Sequence, residues 1–415
     1  MTARTDDLVP RLRSLPGAGP VVDALSAEPG IWAVGGAVRD LLLERTPREV
    51  DLVVEGDAVA AARRAAERLG GDVVVHERFG TATVRAAGAE ADLASARRER
   101  YAHPGALPVD VLGATLEVDL ARRDFSVNAI AVELARGRPA AVDGALADLA
   151  ARRLRVLHER SFLDDPTRLL RLARYAARLG FAAERRTGRL AADAVRDGAP
   201  ATVTGPRLGA ELRLLAAEPQ PAALEALAEH GLGAAVLAPG FAVDPALVER
   251  ALAGCPLDAR GDLLALASAC IGIGRAELAA RLDVLGWPAA ERDVIVAAAS
   301  GARTLARELA EPARAAPSRL WALLRREPAE AVALAGALAA GGGKDGQVAA
   351  GRAERWLREL RHVRLDIGGD DLLAAGVSGP PVGTALEAAL AATLDGRAPD
   401  RDAQLAVALA AVGKG

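Results

Sequence analysis

Lysine is almost missing from this 415-residue chain: Lys344 and Lys414 are the only two, and the rest of its 52 basic residues are arginine. Aromatic residues make up 3%, and there are two cysteines and one methionine. So few aromatics argue against a sandwich or barrel built on aromatic cross-strand pairs. Cys255 and Cys270 have no His or Cys neighbour at metal-ligand spacing, and they read as plain buried thiols rather than a disulfide framework. The longest apolar run, residues 331–340, is about half of what a bilayer needs. Residues 1–13 lack the apolar centre of a signal peptide. The expectation is a cytoplasmic protein with no membrane partner. A net charge of −3 at pH 7 does not advertise nucleic acid, although local arginine patches can still meet phosphates.

What is abundant is Ala, Leu, Arg and Glu, which favour helix. With 51% hydrophobic and 26% charged residues, the chain has the composition of a folded protein of two or three domains. Up to about residue 135, short β-branched runs alternate with helical ones. Strands are expected at residues 31–34, 50–54, 72–75, 81–86 and 91–94. Helices are expected at residues 37–43 and from the N-cap Asp57 to the C-terminal glycine Gly70. Residues 97–118, with Pro104 and Pro108, have no clear period and read as a functional loop. From Pro166 onward amphipathic helices follow one another without a fixed repeat. Residues 341–346 lack the spacing of a phosphate-binding loop and read as a mobile joint.

Gly35 and Gly36 stand between a strand and a helix, where backbone N–H groups can approach a phosphate. In the next strand Glu49 and Asp51 are two apart and share a face. Paired carboxylates on one face repel unless a cation sits between them, and Mg²⁺ prefers such oxygen donors. Asp92 follows on a later strand, and residues 122–129 read Arg-Arg-Asp-Phe-Ser-Val-Asn-Ala. Asp165 and Arg168 then open a helix three residues apart. An ionised Asp only accepts hydrogen bonds and an Arg only donates, so the pair suits a base edge with an amino group beside a ring nitrogen. Cytosine and adenine present that edge, whereas uracil and guanine place a carbonyl against the carboxylate. Arg168, Arg171, Arg174 and Arg178 form a stripe along this helix, either a solvated face or the lining of a nucleotide pocket.

In this order the motifs resemble the class II branch of the DNA polymerase β-like nucleotidyltransferases, the bacterial CCA-adding enzymes with their poly(A) polymerase relatives. The matches, at residues 35–51, 122–129, 164–181 and 368–402, are spread over most of the chain. The resemblance implies an α+β fold. A small N-terminal polymerase-β-like α/β catalytic head at residues 1–135 is followed by an all-helical neck reading the base (136–218), body (219–340) and tRNA-binding tail (341–415). It implies template-independent addition of C, A or both to the tRNA acceptor end, using CTP and ATP and releasing pyrophosphate. Two Mg²⁺ ions would be held by Glu49 and Asp51, with Asp92 a third catalytic carboxylate. Gly35, Gly36 and Arg39 would cradle the triphosphate. Arg122, Asp124 and Asn128 would meet sugar and phosphates, with Asp124 accepting from the ribose 2′-hydroxyl. Asp165 and Arg168, extended by Arg171 and Arg174, would read the base, and the loop at 97–118 would bear on the change from C to A. Two positions depart from the family pattern: Glu49 replaces an Asp, adding a methylene to a metal ligand, and Ser126 replaces a Thr. A poly(A) polymerase is the nearest rival, although the weakly charged last ten residues favour tRNA. A non-catalytic RNA-binding homologue is a rival of another class, motivated by Glu49. Whether the product is CCA, CC or A stays open on these shared motifs, as does the oligomeric state.

Overall fold

The computed structural model describes residues 7–76, 80–86 and 88–413. Residues 1–6 of the N-terminal stretch read above, and Lys414 with Gly415, lie outside the described residues. The chain forms two compact units, residues 1–211 with 230–232, and residues 212–229 with 233–415.

The first unit begins with helices α1 (Leu8–Arg13) and α2 (Gly19–Leu25), then strand β1 (Ile31–Val34), α3 (Gly36–Leu42), β2 (Asp51–Val54) and α4 (Ala58–Leu69). Next come β3 (Asp72–His76), β4 (Thr81–Ala86), β5 (Ala89–Ser95), β6 (Arg97–Arg100), β7 (Val109–Leu112) and α5 (Leu116–Ala121). After β8 (Ile130–Glu133), β9 (Pro139–Ala141), α6 (Ala145–Ala150) and β10 (Arg153–Leu154), the unit is mainly helical. Its last elements are α7 (Ser161–Asp164), α8 (Thr167–Leu179), β11 (Ala182–Ala183), α9 (Arg185–Arg196) and α10 (Gly205–Ala216). Seven strands make one mixed sheet in the order β3-β4-β5-β2-β1-β8-β9.

Local chemistry explains this layout. Asp57 caps α4 by accepting from the Ala60 N–H at 3.0 Å, and Gly70 ends it in the left-handed region at φ 65°. An alanine face, Ala58, Ala61, Ala62, Ala65 and Ala66, is buried, which lets α4 lie close to β4 and β5. Crossing over through α4, the chain returns β5 parallel to β2 and sets Asp51 beside Asp92. The expected α+β class, a small mixed sheet followed by helices, is what the chain adopts.

Three local expectations differ. Strand β2 begins at Asp51, so Glu49 stands ahead of it and is exposed. The Asp92 N–H still bonds to the Val50 carbonyl, and the exposed–buried–half-buried alternation through 49–51 keeps Glu49 and Asp51 on one side. Residues 97–118 are not a single loop: β6 and β7 pair antiparallel, Arg97 opposite Leu112. The ladder was hidden because Arg-Arg-Glu-Arg carries no apolar alternation, and a two-stranded hairpin needs none to close its hydrogen bonds. Strand β8, buried at all four positions, was not expected, since an alanine-rich apolar run has no period that separates strand from helix.

The second unit is helical throughout its described elements, from Ala222–Ala228 to Arg401–Val412. Residues 341–346 are not a joint here. Residues 341–343 make a tight turn between the packed helices Ala329–Ala340 and Lys344–Arg358, and residues 344–346 open the second of them. A Cβ on Gly346 would come within 2.2 Å of the Ala339 carbonyl oxygen, and one on Gly336 within 3.0 Å of the Ala353 Cβ. The glycines are there for close approach of two backbones. Cys270 is buried, and burial pushes its thiol up to about 12; Cys255 is half-buried, and both are free. No helix among the described residues is long and apolar enough to cross a membrane.

Candidate active site

A cavity of about 560 Å³ opens in the first unit, and it gathers residues far apart in sequence: Gly35 and Gly36, Asp51, Arg122 to Asp124, Asn128, Asp165, Arg168 and Arg171. Gly35 adopts φ 68°, a conformation that strains any L side chain, and its successor starts α3. A Cβ at Gly35 would meet the Arg123 guanidinium at 2.9 Å. The turn therefore brings backbone N–H groups and an arginine to one spot.

Asp51 adjoins this cavity and a second one of about 360 Å³ that also holds Asp92 and Arg123. Burial raises the Asp51 carboxyl to about 6, and Glu49 and Asp92 add to the rise while Arg123 opposes it. Three carboxylates thus crowd together with a deficit of positive charge between them. Among the described residues, no group of three or more His, Cys, Asp or Glu is drawn tightly enough to hold a metal ion as it stands. The donor set is nonetheless all oxygen and mutually repulsive, which suits a hard divalent cation. Asp92 also accepts from the Thr83 hydroxyl at 2.5 Å across β4 and β5, which orients it.

The Arg-Arg-Asp run is more internally engaged than its sequence suggests. Asp119, fully buried, accepts from Arg122 and Arg123, and Arg122 also reaches Glu99. Arg122 therefore lines the cavity while pinned between two carboxylates. Asp124 is 6% exposed, and its Oδ1 accepts from the Phe125 N–H and the Asn128 amide at 2.7 and 2.9 Å. Its Oδ2 accepts from Arg171 Nε and Nη2 at 2.8 and 2.6 Å. Burial alone would raise this carboxyl, but Arg171 and Asn128 hold it well below the usual range. With four hydrogen bonds its lone pairs are engaged, so a ribose hydroxyl would have to share them with Arg171.

Arg39 does not cradle anything. It is 2% exposed and donates to Asp40 and, at 2.5 Å, to the Asn128 Oδ1. Buried in this way, it props Asn128, which props Asp124. Arg174 is likewise buried and not part of the cavity lining; it stands behind it, paired with Glu211 at 3.3 Å and over the Tyr175 ring. The arginine stripe is no solvated face: Arg168 and Arg174 are buried, and Arg171 joins Asp124 to Glu211.

Asp165 precedes α8 instead of sitting on its face, and its Oδ1 accepts from the Thr167 N–H, the Thr167 hydroxyl and Arg207 at 3.2, 2.7 and 3.0 Å. Its Oδ2 has no partner among the described residues. Arg168 donates to the Ser161 hydroxyl and the Arg122 carbonyl, both at 2.7 Å, which leaves three of a guanidinium's five N–H groups. Both side chains line the cavity. Arg123, Arg207 and the two tyrosines, Tyr101 and Tyr175, line it too and were missed as site residues. Of two adjacent arginines, 122 and 123, sequence cannot say which faces the glycine turn, and Arg207 arrives from α10 with no motif to mark it.

Residues 31–155 match the family described as the poly A polymerase head domain. That stretch is similar to a poly A polymerase head domain. Beyond it, the chain is 44% identical over 216 residues to the A-adding tRNA nucleotidyltransferase of Geobacter sulfurreducens, covering 51% of this chain and 24% of that protein. It is 42% identical over 228 residues to the CC-adding tRNA nucleotidyltransferase of Deinococcus radiodurans, covering 54% and 59%. The match thus spans less than two thirds of either curated relative. A solved CCA-adding enzyme in an apo form superposes with a TM-score of 0.79 at 28% identity, over 98% of this chain and 96% of that one. The resemblance read from the motifs holds, and the fold is similar to that of the solved CCA-adding enzyme over nearly the whole chain.

Proposed function

We propose that the protein adds C, A or both to tRNA 3′ ends without a template, using CTP and ATP and releasing pyrophosphate. One observation carries the reading: a single cavity joins the glycine turn and Asp51 to Asp165 and Arg168, so phosphate, metal and base determinants meet in one nucleotide-sized space. Relatives named for A addition and for CC addition match at nearly equal identity. The head is assigned to chemistry, residues 136–218 to base reading, and the helical tail to tRNA.

Asp51, with Asp92 and Glu49, would hold Mg²⁺. When bound, the metal supplies Lewis-acid activation of the RNA 3′-hydroxyl and stabilisation of the leaving pyrophosphate. The glycine turn and Arg123 receive the phosphates. The network Arg39–Asn128–Asp124–Arg171 keeps α8 in register with that turn, so base reader and phosphate site are held as one body. Asp165 offers its open Oδ2 to an exocyclic amino group and Arg168 offers N–H to the ring nitrogen, which admits C and A and rejects U and G.

The test is incorporation of labelled CTP and ATP, with and without magnesium, into tRNA transcripts ending before CCA, after C and after CC. Incorporation at one or more of these ends supports the reading and sorts CCA, CC and A addition, long A tails identify a poly(A) polymerase, and none with intact tRNA binding identifies a non-catalytic homologue. Base selection has its own test. Asp165→Asn keeps an acceptor for Thr167 and Arg207 but turns the open oxygen into a donor. The kcat/KM ratio of UTP to CTP is expected to rise about 10- to 100-fold, the scale of one unsatisfied or repulsive polar contact. An unchanged ratio removes Asp165 from base reading.

A further inference from the structure

Both tyrosines of this aromatic-poor chain, Tyr101 and Tyr175, line the same cavity. Their rings are not equivalent. Tyr175 is 8% exposed and already covered: the guanidinium groups of Arg39, Arg171 and Arg174 lie 5.3, 5.7 and 5.1 Å from its centroid, and Phe125 meets it edge-on at 5.9 Å. Tyr101 is half-buried, and no ring or cation contact to it is found among the described residues. Its hydroxyl donates to Glu99 Oε2 at 2.8 Å, and Glu99 is gripped by Arg122. The ring is anchored at its tip, and no aromatic ring or guanidinium stacks on it among the described residues.

Base recognition needs an edge reader and a face. Asp165 and Arg168 read an edge, and apart from the tyrosines the rest of the lining is charged or small, with Pro108 and Ala210 as its apolar members. Resting on the nucleotide-site reading above, we infer that Tyr101 is the stacking platform for the incoming base and favours the purine. Asp165 and Arg168 line the same cavity as Tyr101, and their charges reach its hydroxyl. A purine covers more of an aromatic face than a pyrimidine does, so the platform adds affinity to ATP beyond what the shared amino and ring-nitrogen edge gives CTP.

The experiment measures Kd by calorimetry for ATP, CTP and inorganic tripolyphosphate with the full-length protein and magnesium, beside transfer to tRNA. Tyr101→Leu is expected to weaken ATP about tenfold and CTP about threefold and to leave tripolyphosphate unchanged. Tyr101→Phe, which keeps the ring and loses only the bond to Glu99, should retain parental ATP affinity. Stacking is overturned if Tyr101→Leu binds ATP like the parent, if Tyr101→Phe loses as much as Tyr101→Leu, or if tripolyphosphate weakens in parallel. A parent that binds ATP in a Tyr101-dependent way yet transfers nothing to tRNA supports stacking and overturns the transferase reading. A parent that binds neither nucleotide overturns both.

Discussion

Asp51→Asn is expected to lower kcat for nucleotide transfer by at least about 10³-fold, about 4 kcal/mol of transition-state stabilisation, while making the folded protein more stable at neutral pH. The two effects share one cause. In the folded chain the carboxyl sits at about 6, against 3.8 for an ordinary Asp, because it is buried and faces Glu49 and Asp92. A carboxyl raised by folding contributes stability in its protonated form, present below about pH 4 and lost as pH rises through 6. Asparagine has no charge to bury, so the variant should exceed the parent by up to about 3 kcal/mol above pH 6 and match it near pH 4. Thermal unfolding at pH 4.0 and 7.5 in the presence of a chelator measures this. Magnesium should then raise the parent's Tm and not the variant's. Near-parental turnover in Asp51→Asn would sink the metal assignment, and equal Tm values at pH 7.5 would sink the electrostatic one.

The largest expected loss of stability lies at Asp124. Its carboxylate is paired with Arg171 and hydrogen-bonded to Asn128 and the backbone, and Arg171 is held well above its ordinary pKa by that partner despite burial. Asp124→Ala leaves the half-buried Arg171 guanidinium with Glu211 as its remaining counter-charge, a loss of about 3 kcal/mol, the lower end for a buried pair. Replacing both partners in Asp124→Leu with Arg171→Met should recover much of it, since no charge is then stranded. Because folding lowers this carboxyl, its contribution is present above about pH 4 and fades as the solution becomes more acid. The double-mutant cycle in urea at pH 7 decides the matter. A single variant with an unchanged midpoint and a reduced preference for ATP over dATP would make Asp124 a ribose reader and not a keystone of the fold.

The motif order grouped in advance most of the candidate residues that the fold brings to one cavity. Nine of the residues expected to act on the nucleotide or metal line one cavity, because spacing along a strand or at a helix start constrains which side chains can share a face. Five strands of the head were legible as short runs bounded by turn residues, four of them marked by β-branched side chains and the fifth, Ala89–Ser95, by its alternation alone. Sequence did not show which groups are already satisfied by other parts of the protein. Arg39 and Asp124 look like free ligand contacts in a motif, and only the meeting of α3, α8 and the turn at residues 126–128 reveals that they bind Asn128 and Arg171 first.

Chemical type and local order were thus determined by the sequence alone: carboxylates in alternate positions, a glycine turn, an acceptor and a donor three apart, an apolar helical remainder. Tertiary structure decided which arginine faces the glycine turn, that Arg207 holds Asp165, that β8 enters the sheet beside β1, and that guanidinium groups cover Tyr175 and not Tyr101. These outcomes depend on partners distant in the chain, and the free energy of a buried polar group is set by what surrounds it rather than by its neighbours in sequence.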